Sequence, residues 1–145
     1  MFEINGKKVG VDQKPYIIAE LSANHGGKLD NAKLAIKVAK ESKCFDKIIV
    51  STDDPQIKDL SLENGAEVPF IRPAELSDDY TGTVPVVAHA IKWQIKHNQR
   101  PTYVCCIYAT APFIDFKNLI KADKLLKKNK NSFIFTASKF HSSVF

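Results

Sequence analysis

Arg72 sits where its chemistry can be used. It ends an apolar run and precedes Pro73, whose ring restricts the local backbone and favours an extended Arg72. An always-charged, planar guanidinium with several donors suits a base carbonyl or a phosphate. An ion pair with Glu75 or Asp79 is the structural alternative. Thr81, Gly82 and Thr83 follow in a loop that opens a helical pattern, where backbone N–H groups and hydroxyls can read polar edges or hold an anion. Ser51, Thr52, Asp53 and Asp54 end another apolar run, so their polar groups emerge where a sheet meets solvent. Asp54 reads as a helix cap and Asp53 as a turn residue. Near the N-terminus, Asn24-His25-Gly26-Gly27-Lys28 places two glycines and a lysine ahead of a helix. Such a loop is physically able to hold phosphate, although glycine pairs are common in turns that bind nothing.

Other reactive side chains read as structural. His89 is a lone histidine inside a helical pattern, and Trp93 lies one turn further along the same stripe, as a core residue would. Cys44, Cys105 and Cys106 match neither a disulfide framework nor the paired spacing of a zinc site, and read as core thiols.

The elements that must position these residues alternate between short apolar runs and longer periodic stretches, the pattern of βα units feeding a mainly parallel sheet. Strands are predicted over Pro15 to Leu21, Lys47 to Thr52, Glu67 to Ile71, Tyr103 to Ala109 and Ser132 to Ala137. Lys47 to Thr52 and Tyr103 to Ala109 are the predicted central strands, being apolar on both faces. Helices are predicted after Asp30, after the cap and first-turn pair Asp54-Pro55 and up to Asn64-Gly65, from Thr83 to His97, and after Asp115. The last should bury Leu119, Ile120, Leu125 and Leu126. Glu67 to Thr83 contains Pro69, Pro73 and Asp78-Asp79, so most of it should be a loop leaving the carboxyl end of a strand, where open α/β sheets bind ligands.

At 145 residues and 44% hydrophobic, the chain is expected to form one globular domain. No apolar run approaches the roughly 18 residues of a membrane span, and the first residues lack the apolar stretch of a signal peptide, so a cytoplasmic location is expected. The net charge of +5 sits largely on helical positions such as Lys121, Lys124, Lys127, Lys128 and Lys130, a solvated face that also suits a phosphate-rich ligand. Nucleic acid is not the expected partner, because no aromatic residues interleave with that cluster.

Lys43 to Asp53 resembles the second strand region of CMP-sialic acid synthetases and their pseudaminic acid relatives. Gly65 to Thr83 and His89-Ala90 are similar to the same family, and Tyr103 to Ile114 resembles its pseudaminate branch. The resemblance implies a Rossmann-like nucleotidyltransferase fold, three-layer α/β with a mainly parallel sheet, here incomplete. It also implies transfer of CMP from CTP to a nonulosonic acid with release of pyrophosphate. It places Arg72 beside the nucleotide base, Thr81, Gly82 and Thr83 in the nucleotide pocket, and Tyr108 and Thr110 facing the sugar. Tyr108 stands where sialic acid synthetases have a sugar-contacting glutamine, which favours a pseudaminate-type substrate. His141, Ser142 and Ser143 fall where the family's acceptor-sugar loop begins. Mg2+ and a homodimer are implied as well, with the metal carboxylates and dimer elements in a C-terminal part outside this sequence.

The family opens with a strand and a basic glycine loop that binds the triphosphate, and Tyr16 to Gly27 departs from it. That segment resembles instead the start of nonulosonic acid synthases, over about Lys14 to Lys40. The chain therefore reads as a synthase-like β-loop-α unit over 1–40, joined within a shared helix to a cytidylyltransferase-like core over 41–145. Gly26, Gly27 and Lys28 are the candidate phosphate loop of the borrowed unit. Two other readings stand beside transfer: a non-catalytic fusion remnant, and a synthase fragment, which fails because a full barrel needs about 200 residues.

Overall fold

The computed structural model describes residues 2–4, 7–9, 17–20, 29–108, 111, 114–129 and 133–137. The first strands, β1 (Phe2–Ile4) and β2 (Lys7–Val9), pair antiparallel. This pairing was not expected from the sequence, although Asn5-Gly6 between the two runs is a strong hairpin signal. β3 (Ile17–Glu20) leads to α1 (Leu29–Ser42), and β4 (Ile48–Ser51) leads to α2 (Pro55–Glu63). A 3-10 turn (Ala74–Leu76) precedes α3 (Thr83–Lys96), and α4 (Phe116–Lys128) follows.

β3 and β4 run parallel, with Ile17 opposite Ile48 and Glu20 opposite Ser51. On the other side of β4, the Glu67 carbonyl accepts from the Val50 amide (2.9 Å) and the Glu67 amide donates to the Ile48 carbonyl (2.8 Å). Further along, the Arg72 amide donates to the Thr52 carbonyl (2.9 Å). The expected strand over Glu67 to Ile71 is therefore reduced to a parallel bridge at Glu67. Pro69 explains the interruption, since it has no N–H to give the ladder.

β4 has helices on both faces. Val50 packs with Ala32, Ala35, Ile36 and Ala39 of α1, Ile57 of α2 and Ile107, with Leu119 of α4 against the same cluster. Ile49 packs with Ala90 and Ile91 of α3, together with Phe70 and Val104. The segment Tyr103 to Tyr108 alternates between the same two clusters, Val104 on one side and Cys105 and Ile107 on the other, as an extended chain does. It forms no strand ladder among the described residues, which corrects its expected place as a second central strand; Ala109 lies outside them. Phe133 to Ala137 likewise forms no strand, and Phe133 and Phe135 are exposed.

The helix signals translate more directly. Asp54 caps α2, its Oδ1 accepting from the Gln56 and Ile57 amides (2.7 and 3.2 Å), and Asp115 caps α4 by accepting from the Lys117 amide (2.9 Å). α4 buries none of its residues fully: Leu119, Ile120 and Leu126 are half-buried and Leu125 is exposed, which corrects the expectation of burial. Its apolar stripe is covered only in part among the described residues. The lysines at 121, 124, 127 and 128 are exposed as expected, with Lys127 paired to Asp123 at 2.6 Å; Lys130 lies outside the described residues.

α2 stops at Gly65, which holds φ +80° in the left-handed region. A Cβ there would also come 2.6 Å from Lys40 Nζ, the flexible tip that donates to the Asn64 carbonyl. Gly65→Ala is expected to lower stability by about 1 to 2 kcal/mol, the cost of that conformation for an L-residue. Urea denaturation should show a lower midpoint at unchanged slope.

Candidate site at the carboxyl end of β4

Ser51 and Thr52, where β4 ends, are fully buried. The next residue, Asp53, turns its carboxylate toward Arg72, whose Nη2 donates to Asp53 Oδ1 at 2.8 Å. Arg72 Nε donates to Ser77 Oγ at 3.1 Å, and the Ser77 hydroxyl donates in turn to the Pro73 carbonyl at 3.0 Å. The guanidinium plane is thus fixed by contacts on two different groups. Its ion-pair partner is Asp53, not Glu75 or Asp79. Nothing in the linear order signals this pairing: it arises because residue 72 returns to pair its backbone with residue 52. The pair is unequal in exposure, with the Arg72 side chain 2% exposed and that of Asp53 38%.

The loop beyond Arg72 is organised by Asp78, whose Oδ1 accepts from the amides of Tyr80 (3.0 Å) and Thr81 (2.6 Å). The Thr81 hydroxyl, then the two amides, stabilise the Asp78 carboxylate and hold its pKa below the ordinary aspartate value. The loop ends at Gly82, the N-cap of α3, which gives the helix no side-chain hydrogen bond. A Cβ built there would meet nothing within 4 Å, so the space beside this helix end is open. Thr83 Oγ1 lies 2.6 Å from the Tyr108 hydroxyl. This bond joins a residue expected near the nucleotide to one expected near the sugar. Arg72 and the Thr83–Tyr108 pair occupy opposite ends of the 73–82 loop. Thr110, the candidate phosphate loop Gly26, Gly27 and Lys28, and His141, Ser142 and Ser143 lie outside the described residues.

His89 packs edge-on to Phe70 with ring centroids 4.6 Å apart, as a packing residue would; Trp93 is half-buried and stacks on the exposed His97 at 3.7 Å, which corrects its expected place in the core. Cys44 is buried as expected of a core thiol, whereas Cys105 and Cys106 are half-buried; desolvation pushes the Cys105 thiol up to about 11. Two surface depressions, of about 400 and 440 Å³, lie along α1 and the strand-start side of β4; Lys40 lines both, and neither reaches Arg72, Thr83 or Tyr108. Among the described residues no group of three or more His, Cys, Asp or Glu side chains could hold a metal ion.

Residues 33–144 match the family model described as Cytidylyltransferase. The chain is 39% identical over 106 residues to a pseudaminic acid cytidylyltransferase of Campylobacter jejuni subsp. jejuni serotype O:2, covering 73% of this chain and 46% of that protein. It is 40% identical over 107 residues to the protein of the same name from serotype O:23/36, with the same coverage. Over 121 residues it is 30% identical to an N-acylneuraminate cytidylyltransferase of Escherichia coli O18:K1:H7, covering 75% of this chain and 28% of that protein. The chain thus spans less than half the length of these relatives. With a family model covering most of its residues, the chain belongs to the cytidylyltransferase family.

Proposed function

We propose that this chain forms the nucleotide-facing and sugar-facing core of an enzyme that transfers CMP from CTP to a nonulosonic acid, of pseudaminate type in preference to sialate, in the cytoplasm. In that reaction a sugar hydroxyl attacks the α-phosphate in line. A new oxygen–phosphorus bond forms, the bond to the β-phosphate bridge breaks, and pyrophosphate leaves. The observation that carries the reading is the assembly at the carboxyl end of β4, where Arg72 is fixed on Asp53 and the loop after it ends on the Thr83–Tyr108 bond. The pseudaminate preference draws support from the names of the relatives at 39% and 40% identity.

In this reading Arg72 orients the nucleotide, Thr81, Gly82 and Thr83 line its pocket at the open N-terminus of α3, and Tyr108 and Thr110 face the sugar. Gly26, Gly27 and Lys28 are the candidate phosphate loop. Mg2+ is the cofactor the resemblance implies; when bound with the nucleotide it would offset charge on the phosphates, and no step is assigned to it. The fold is a Rossmann-like nucleotidyltransferase layer structure, with β4 covered on both faces by helices. Its first βα unit, 1–40, is synthase-like and lends β3 to the same parallel sheet as the 41–145 core. The Arg72 side chain is 2% exposed and that of Asp53 38%, so Asp53 is the member of the pair open to solvent.

Calorimetric titration with CTP tests the proposal. Arg72→Ala should weaken binding by about 1.5 to 3 kcal/mol, the range for hydrogen bonds to a charged group. A thermal melt of the variant run in parallel separates lost binding from lost folding. Equal affinity in a folded variant would assign Arg72 to the ion pair alone.

A further inference from the structure

We propose that α4 is a docking helix, which lays a stripe of four lysines on an anionic lipid surface and so holds the chain on the face of a membrane without entering it. The inference is independent of the nucleotide-binding reading above.

α4 carries five lysines and one aspartate in 13 residues, and so holds +4 of the chain's net charge of +5. Lys117, Lys121, Lys124 and Lys128 follow one another at steps of four, three and four residues. At 3.6 residues per turn they form one stripe about 60° wide and about 16 Å long. All four are exposed, and among the described residues none is in an ion pair. The one acid of the helix, Asp123, pairs instead with Lys127, outside the stripe. Like charges three and four residues apart on a helix repel one another and weaken it, and no carboxylate among the described residues offsets that cost for these four. An external negative surface does offset it. Leu119, on the far side of the helix, packs against the cluster of α1 and β4, so α4 is seated on the protein with its lysines outward.

What surrounds the stripe selects its partner. Neither of the two surface depressions is lined by an α4 residue, so the lysines face outward and not into a groove, which fits a flat partner. Leu125, beside the stripe, is 38% exposed, and Phe133 and Phe135, in the segment after the helix, are 96% and 84% exposed. Lysines accompanied by exposed leucine and phenylalanine suit the headgroup layer of a bilayer, where ammonium groups meet phosphates and apolar groups meet the acyl boundary. A soluble polyanion would use the charge alone. α3, with Gly82 and Thr83 at its start, packs on the opposite face of β4, away from this contact.

The test is co-sedimentation of the purified 145-residue chain with vesicles of equal parts phosphatidylglycerol and phosphatidylcholine. Binding is expected there and not to pure phosphatidylcholine, and it should be lost as salt rises from about 0.1 to about 1 M, where screening shortens from about 10 to about 3 Å. Each lysine at an anionic surface contributes about a fivefold gain in partitioning. The double variant Lys121→Gln, Lys124→Gln should therefore lose about 25-fold, whereas Lys121→Arg, Lys124→Arg should retain binding. Phe133→Ser with Phe135→Ser should weaken vesicle binding as well. CTP affinity should be the same in all of these chains. A glutamine variant that partitions like the wild type, or wild-type binding to neutral vesicles as strong as to anionic ones, overturns the proposal. Tighter binding to polyglutamate or to a single-stranded RNA oligonucleotide than to the anionic vesicles also overturns it, in favour of an acidic protein or a nucleic acid. Should a variant fail to fold in a parallel thermal melt, the lipid and salt series on the wild type decides.

Discussion

The purified 145-residue chain is expected to bind a cytidine nucleotide but to form CMP-sugar at a rate well below about 1 per second, the lower end of ordinary turnover. Phosphoryl transfer is catalysed by positioning and by stabilising charge on the phosphates and the leaving group, with little covalent chemistry for the protein to perform. The described residues contain one compensated arginine at the site, an open helix N-terminus and a threonine–tyrosine pair, and no carboxylate or histidine cluster for a metal. Removing a single preorganised charge-stabilising contact typically costs about 10² to 10³ in rate. The relatives have more than twice the matched length in which to place such contacts. Incubation with CTP, magnesium and pseudaminic acid, followed by measurement of pyrophosphate and CMP-sugar, checks this. Turnover at or above about 1 per second would mean that the loop at Gly26, Gly27 and Lys28 supplies the missing charge.

What the sequence revealed about this structure followed from how local each signal is. Asp54-Pro55, Asn64-Gly65 and Asp115 announce helix ends because a cap acts within a few residues of itself, and each was found where the pattern placed it. β4 was legible because an apolar run with no polar face must be covered on both sides. The segment Tyr103 to Tyr108 shows the limit of that argument: its side chains alternate between two cores, but whether its backbone joins a ladder depends on neighbours that its own residues do not specify. Asp53 illustrates the same limit at the site. Its short-range reading as a turn residue was reasonable, and its partnership with Arg72 appears only once Glu67 and Arg72 dock beside β4.

Ile49→Ala should be among the most destabilising single substitutions, at about 3 to 4 kcal/mol, within the range for large-to-small changes in a well-packed core. Ile49 is fully buried and lies on the middle strand, opposite Ile18 of β3 on one side and bridged to Glu67 on the other. Its side chain packs with Phe70, Ala90, Ile91 and Val104, which come from a loop, a helix and an extended segment. Truncation therefore removes apolar contact with all of them and leaves a cavity that a strand held on both edges cannot close by moving. The effect should reach the site, because Phe70 lies two residues before Arg72 and Ile49 lies two before Ser51, so relaxation around the cavity shifts both halves of the Asp53–Arg72 pair. Leu62, 48% exposed on α2, is the control: Leu62→Ala should change stability by no more than about 0.5 kcal/mol. Urea denaturation of the two variants gives the comparison, and CTP titration of the folded Ile49→Ala chain gives the second readout. A loss below about 1 kcal/mol, with nucleotide affinity intact, would show that β4 is not the strand on which the site is built.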